Sequence, residues 1–261
     1  MTFADSHNHL QRFADPPAII KAMREAGVGI CVVNGTSEAD WPKVADLAEQ
    51  HPDFVRPAFG LHPWMAANRT SGWLRHLEGW LDRFPLASLG ECGLDGWVDQ
   101  PVLAVQREVF LPQIAIARER NLPLTIHALK AWQPLIDALA AEPPPERGFL
   151  LHSFGGSAEL VRRFADLGAY FSFSGYFLHP KKTKVLDAYK AVPSDRLLLE
   201  TDAPDMLPPE NHVTHPLPDG QNHPANLPRI ASGLAKALEL SVEELRRNTR
   251  LNHERFFGIA E

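Results

Sequence analysis

The sequence predicts an α/β fold, a single-domain (β/α)8 TIM barrel, on three observations. Short apolar, β-branched runs alternate with longer amphipathic segments along nearly the whole chain; there are eight such runs; and 261 residues is a length at which an α/β barrel forms one domain. The strand runs are 1–6, 28–34 (VGICVVN), 54–60 (FVRPAFG), 86–90 (LASLG), 123–127 (PLTIH), 148–152 (GFLLH), 169–174 (AYFSFS) and 196–201 (RLLLET). Helical stretches lie between them near 16–26, 39–50, 72–83, 101–120, 130–141, 157–167 and 180–190, and the C-terminal part adds 226–238 and 241–255.

Several boundaries carry their own chemistry. Within 72–83, Trp73, Leu74, Leu77, Trp80 and Leu81 recur at helical spacing and read as core. Pro101 is expected in the first turn of the 101–120 helix and Asn121, before Leu122-Pro123, at its end, because proline fits a helix start and resists a helix interior. Glu142-Pro143-Pro144-Pro145-Glu146 reads as a stiff surface loop, since the same rhythm of segments continues on both sides. Ser241 and Glu244 form the pattern of a capping box. The one long irregular stretch, 203–225, holds six prolines and three histidines, and a loop of that length in a compact domain is often functional.

Hydrophobic content of 44% and charged content of 22% argue against disorder and against a fibrous architecture. The N-terminus lacks a basic and apolar leader, and no stretch approaches the roughly 18 apolar residues of a membrane span. The two cysteines, Cys31 and Cys92, do not suggest a disulfide framework, so the expected location is the cytoplasm, with no membrane partner. A net charge of −6 excludes a protein that coats nucleic acid by general attraction, but not an enzyme whose bound cations reverse the local field.

The polar residues fall at particular places relative to the strands. His7 and His9 follow the first run, His62 the third, Glu91 the fourth, His127 the fifth, His152 the sixth and Asp202 the eighth. In a barrel those C-terminal strand ends converge on one face, and imidazoles and carboxylates gathered there are ligands for zinc, manganese or related ions. His7-x-His9 on an extended segment projects both rings to one side. Glu91 lies between Gly90 and Gly93 on a segment that lets backbone approach closely. Each residue also has a blander role open to it: a turn for Glu91 and His62, a backbone or carboxylate partner for His127 and His152, a turn cap for Asp202. Of the other histidines, His51, His76 and His253 are expected at the surface, while His179, His212, His215 and His223 lie where they could reach a pocket. Trp64, Trp97, Phe154 and Tyr176 sit in loops of the same face and could stack on a base. Gly155-Gly156-Ser157 before a helix could cradle a phosphate, or be a turn with a helix cap.

The ordered set DSHNH (5–9), GLHP (60–63), GECGLD (90–95), LPLTIH (122–127), LHSFGGS (151–157), ETDAP (200–204) and NHPANLPRIA (222–231), closing with Asn252 and Phe256-Phe257, resembles the TatD family of metal-dependent hydrolases and deoxyribonucleases, barrels of amidohydrolase-like type. It spans residue 5 to about 258. The resemblance implies two divalent ions (Zn, Mn, Mg or similar), one on His7, His9, Glu91 and Asp202 and one on Glu91, His127 and His152, with Glu91 bridging. It implies Asp202 and Glu91 as the catalytic carboxylates, Asp202 handling the attacking water; from their places beside this set, His62 is read as a support for the donors or a contact to a substrate phosphate, and Trp97 and Phe154 as aromatics that meet substrate or pack. The implied substrate is DNA or a small phosphodiester. Three departures mark a divergent branch: Leu129, followed by Lys130, stands where the family often has an arginine; Gly96-Trp97 moves an aromatic one place; and Asp205-Met206 replaces a tyrosine. A small amide, lactone or ester substrate is the alternative on the same metals, and a catalytically silent binding protein is the third reading, against which the complete ligand set argues.

Overall fold

The structure, a computed structural model, describes residues 1–258. Its strands are β1 (Phe3–Asn8), β2 (Val28–Asn34), β3 (Val55–Phe59), β4 (Ser88–Asp95), β5 (Leu124–Leu129), β6 (Phe149–Leu151), β7 (Ala169–Phe173) and β8 (Leu197–Leu199). The helices are α1 (Pro16–Glu25), α2 (Trp41–Gln50), α3 (Trp73–Arg83), α4 (Leu103–Glu119), α5 (Trp132–Ala141), α6 (Ala158–Asp166), α7 (Thr183–Ala188), α8 (Leu227–Ala237) and α9 (Val242–Phe257). Every strand pairs in parallel with the next, β1 through β8 in chain order, with a helix in each crossover: the predicted (β/α)8 barrel.

The seam between β8 and β1 is closed by the segments that carry the candidate ligands. The Asp202 N–H donates to the His7 carbonyl at 3.0 Å and the His9 N–H to the Ala203 carbonyl at 2.8 Å. One layer deeper, the buried Asp5 carboxylate accepts the Thr201 N–H at 3.0 Å and its hydroxyl at 2.6 Å. Burial pushes the Asp5 carboxyl up to about 7 even though these donors favour its charge.

The largest departure from the sequence reading is β4, which runs to Asp95 instead of ending at 90. Its glycines are what allow this. Gly93 has φ 142°, and a Cβ there would fall 2.0 Å from the His127 carbonyl oxygen, so only glycine lets β4 lie against β5 with Gly93 paired to His127. Glu91, His7 and His127 therefore sit inside strands instead of after them, while His9, His62, His152 and Asp202 follow theirs.

Two boundaries also differ. Pro101 lies outside α4, which starts at Leu103, and its carbonyl accepts from Gln106 Nε2 at 2.7 Å. The 180–190 stretch breaks into a turn at Pro180–Lys182, α7 and a turn at Tyr189–Ala191. Asn121 does end α4, at φ 47°, and Ser241 Oγ accepts the Glu244 N–H at 3.1 Å, the serine half of the expected box.

Below the polar layer lies an apolar one. Leu150 and Leu198, on the strands that lead to His152 and Asp202, cluster with Val32, Ala58 and Tyr170 against Phe256 and Phe257 at the end of α9. The site thus rests on a packed floor. Among the described residues, no helix is long and apolar enough to cross a membrane.

Candidate metal centre

All six predicted ligands meet at the C-terminal mouth of the barrel, and Glu91 stands at their centre. Its Oε2 lies 3.4 Å from His7 Nε2 and 3.3 Å from His9 Nε2. Asp202 Oδ1 lies 3.3 and 3.5 Å from the same two nitrogens. The other oxygen, Oε1, lies 3.1 Å from His127 Nδ1, 2.9 Å from His152 Nε2 and 3.3 Å from His62 Nε2, and His127 Nδ1 and His152 Nε2 are 3.3 Å apart.

These separations suit an ion. Four donors around a tetrahedral cation at about 2.0–2.1 Å stand roughly 3.4 Å from one another. That is the spacing of His7, His9, Glu91 and Asp202, and it is long for hydrogen bonding. Both ring nitrogens of His7 are buried without a hydrogen-bond partner, an arrangement that is costly unless a further species satisfies them. The rings of His7 and His152 stack at 4.0 Å, which packs the two donor sets side by side.

Neighbours fix which nitrogen of each ring is free. His9 Nδ1–H donates to the Asn34 carbonyl at 2.8 Å, leaving Nε2 with its lone pair toward Glu91 and Asp202. His127 Nε2–H donates to Asp95 Oδ2 at 3.0 Å, leaving Nδ1 toward Glu91. His62 is reversed. Its Nδ1 accepts the Trp64 N–H at 3.2 Å, so the proton of the neutral ring sits on Nε2 and points at Glu91.

Charge follows geometry. Burial opposes ionisation of Glu91, but His152, His62 and His127 outweigh it and hold the carboxyl well below the ordinary range. Asp202 is held down in the same way by His7 and His9 against its own burial. Burial would lower His9, yet Asp202 and Glu91 raise it to about 10, and His127 and His152 are raised against burial by Asp95, Glu91 and Glu200. Two buried carboxylates thus demand positive charge at this spot, from protons or from cations. Glu91 favours charge on His62 as well, but burial, with His127 and His152 nearby, prevails and pushes it down to about 4.

The other predicted contacts divide. Trp97 is 64% exposed at the rim, with the Lys130 ammonium 3.8 Å above its ring. Phe154 is a correction: it is 1% exposed, wedged between Trp132 and Phe171 as core, because the Gly155-Gly156 turn folds its ring inward. The Ser157 hydroxyl accepts the Leu160 N–H, so that stretch is a turn with a helix cap. His253 is a second correction, buried and bonded through Nδ1 to Ser6 Oγ at 3.0 Å, because α9 lays that face on β1.

Residues that sequence reasoning gave no role support the donors. Asp95 accepts from His127, from Trp64 Nε1 at 2.7 Å and from the Trp97 N–H at 2.7 Å; against burial these hold it down at about 2. Glu200, buried, accepts from Ser153 and Ser172 and lies 3.8 Å from His152 Nδ1. For two of them the period of two carried the signal: Asp5 and Asp95 are two and four residues from His7 and Glu91 in the same strands, whereas Glu200 lies just past β8, two residues before Asp202.

A cavity of about 410 Å³ opens beside the donors, floored by His127, His152 and Asp202 and walled mostly by apolar side chains. Residues 4–258 match the family of TatD related DNases. The chain belongs to that family. It is 32% identical over 261 residues to the uncharacterized metal-dependent hydrolase YabD of Bacillus subtilis, covering 98% of each chain. It is 31% identical over 249 residues to the 3'-5' ssDNA/RNA exonuclease TatD of Erwinia tasmaniensis, covering 94% of each. The solved structure of the TatD homolog YjjV from Escherichia coli superposes with a TM-score of 0.90 at 28% identity, covering 99% of this chain and 98% of that one.

Proposed function

We propose that this single-domain TatD family member is a dinuclear phosphodiesterase that shortens single-stranded nucleic acid. The observation that carries this reading is the division of Glu91: one oxygen faces His7, His9 and Asp202, the other faces His127 and His152. Two divalent ions held there would supply a water of lowered pKa and neutralise charge on the phosphoryl group. Asp202 keeps one oxygen in the donor set and borders the cavity, which suits it to take the proton of an attacking water. Glu91 holds the two donor sets in register. His62 turns its Nε2–H toward the same centre and donates to a substrate oxygen. Trp97 offers an exposed ring to a base. The substrate class follows relatives named as 3'-5' ssDNA/RNA exonucleases. Two free, buried cysteines fit a reducing cytoplasm.

The test is a substrate panel. Metal-loaded protein is expected to release mononucleotides from end-labelled single-stranded DNA and RNA, and Asp202→Asn to abolish this while keeping the left-handed turn at 202, which asparagine tolerates. Intact nucleic acid alongside hydrolysis of a small amide, lactone or ester would replace this reading.

A further inference from the structure

The cavity beside the donors has a charge pattern that the ligand set does not explain. Apart from imidazoles, its cationic side chains are Lys130, in the left-handed turn after β5, and Lys182, in the turn before α7. Both stand over aromatic faces. Lys130 Nζ lies 3.8 Å from the centre of the Trp97 ring, and Lys182 Nζ lies 4.8 Å from that of Tyr176. Among the described residues neither ammonium has a carboxylate within 4 Å, so no ion pair has to be broken for either to meet an anion; of the eight lysines only Lys21 and Lys190 pair with acids. A protein of net charge −6 therefore leaves two lysines without acid partners on the wall of the cavity that reaches its candidate metal ligands. Leu129, beside Lys130, is exposed and brings no charge of its own to that wall.

We propose that Lys130 and Lys182 bind the backbone phosphates that flank the scissile one, so that the cavity selects a polyanionic strand over an isolated diester. The proposal rests on the phosphodiesterase reading of the donor cluster, but concerns different atoms. The ions would neutralise the phosphate under attack. A neighbouring phosphate lies out of their reach and needs its own cation, and an ammonium held by a ring face moves to an anion without breaking an ion pair. Because the lysines project from loops after β5 and β7, with β6 between them, they flank the cavity from two directions and follow a strand running across it. Trp97 and Tyr176, uncovered as the ammoniums shift, become available to bases.

Binding and turnover separate the two claims. Fluorescence anisotropy of a labelled oligodeoxythymidylate, in EDTA so that no turnover occurs, is measured against salt for the wild type, Lys130→Met, Lys182→Met, the double variant and a Lys43→Met control on α2. Each cavity lysine is expected to contribute about 0.7 to the salt slope and about fivefold to affinity; the control is expected to behave as wild type. With metal, KM for the oligonucleotide should rise by a similar factor at constant kcat, and kinetics on bis(4-nitrophenyl) phosphate, which has one phosphate, should stay within about twofold. Lys182→Arg should restore binding. Salt slopes and affinities unchanged in the double variant, or a wild type that does not bind the oligonucleotide, would overturn the proposal even if the small diester is hydrolysed. Lysine-dependent binding by a protein that cleaves neither substrate would uphold the two lysines as strand-phosphate contacts and remove the phosphodiesterase reading instead.

Discussion

His62 lies as close to Glu91 as the proposed ligands do, and with Glu91 and His127 it forms a three-donor group compact enough to hold an ion. The hydrogen-bond pattern says otherwise, and His62→Ala tests it. Burial keeps the ring neutral, down to about 4, so it carries one proton. Nδ1 accepts from the Trp64 N–H, so that proton is on Nε2, and a protonated nitrogen has no lone pair for a metal. Removing the ring should therefore leave the ion count at two per chain. What is lost is a hydrogen bond to a charged oxygen, about 1.5–3 kcal/mol, which corresponds to a drop in kcat of roughly 10- to 150-fold. The Trp64 N–H left behind lies in a partly exposed turn, where water can replace the lost acceptor, so stability should change by less than about 1 kcal/mol. Metal per chain, measured by mass spectrometry after desalting, and kcat on a single-stranded oligonucleotide are the two readouts. His127→Ala is the contrast, expected to lower metal toward one ion. If His62→Ala loses an ion as His127→Ala does, the tautomer assignment is wrong and His62 is a ligand.

Three other outcomes follow from the same geometry. Asp95→Ala removes the acceptor that orients His127 and should weaken one of two metal-binding steps about 10- to 100-fold in a chelator competition, leaving the other unchanged; equal weakening of both steps would contradict the assignment of His127 to one ion. Gly93→Ala places a Cβ against the His127 carbonyl at 2.0 Å, a clash between backbones that side-chain movement cannot relieve, and should cost at least about 2–3 kcal/mol, read as a Tm lower by roughly 5–10 °C; an unchanged Tm would show that β4 does not press on β5 as described. Burial, with Arg250 and Arg56 nearby, depresses His253 from 6.5 to about 3 in the folded chain, so the unfolded chain binds the extra proton as pH falls below 6.5 and stability drops by up to about 1.4 kcal/mol per unit. Between pH 7.5 and 4.5 the wild type should thus lose about 2–3 kcal/mol more than His253→Gln in urea titrations, and parallel curves would refute a neutral buried His253.

The barrel was legible because the pattern of alternating elements is redundant: eight apolar runs and their crossovers fall within a few residues of the observed strands and helices. What was not legible depends on partners distant in sequence. Gly90 and Gly93 read as places of close approach, but one chain segment does not reveal that it is Thr125 and His127 that lie against them. Phe154 follows a strand like the site histidines, and only the packing of Trp132 and Phe171 shows that it turns into the core. His253 has the polar surroundings of an exposed helix face, and the Ser6 hydroxyl that receives it is 247 residues away. The six-residue donor set was readable for the opposite reason: strand ends of a barrel converge whatever their separation in sequence.

Closing the barrel and building the centre are one event. The bonds that join β8 to β1 run from Asp202 to His7 and from His9 to Ala203, so three of the four residues in one donor set make the seam with their own backbones. Asp202 sits at φ 54°, a conformation that costs most residues stability and that aspartate tolerates, and this turn aims its carboxylate back across the seam at His7 and His9. Asp5 locks Thr201 in place one layer below. An ion on these donors would therefore tie the first strand to the last, and a cation bound only by the closed barrel stabilises it by mass action. Chelation is then expected to lower Tm along with activity, and to do so more in the wild type than in Asp202→Asn, where one tie is already weakened; a Tm indifferent to chelation would mean that the seam holds through its backbone bonds alone.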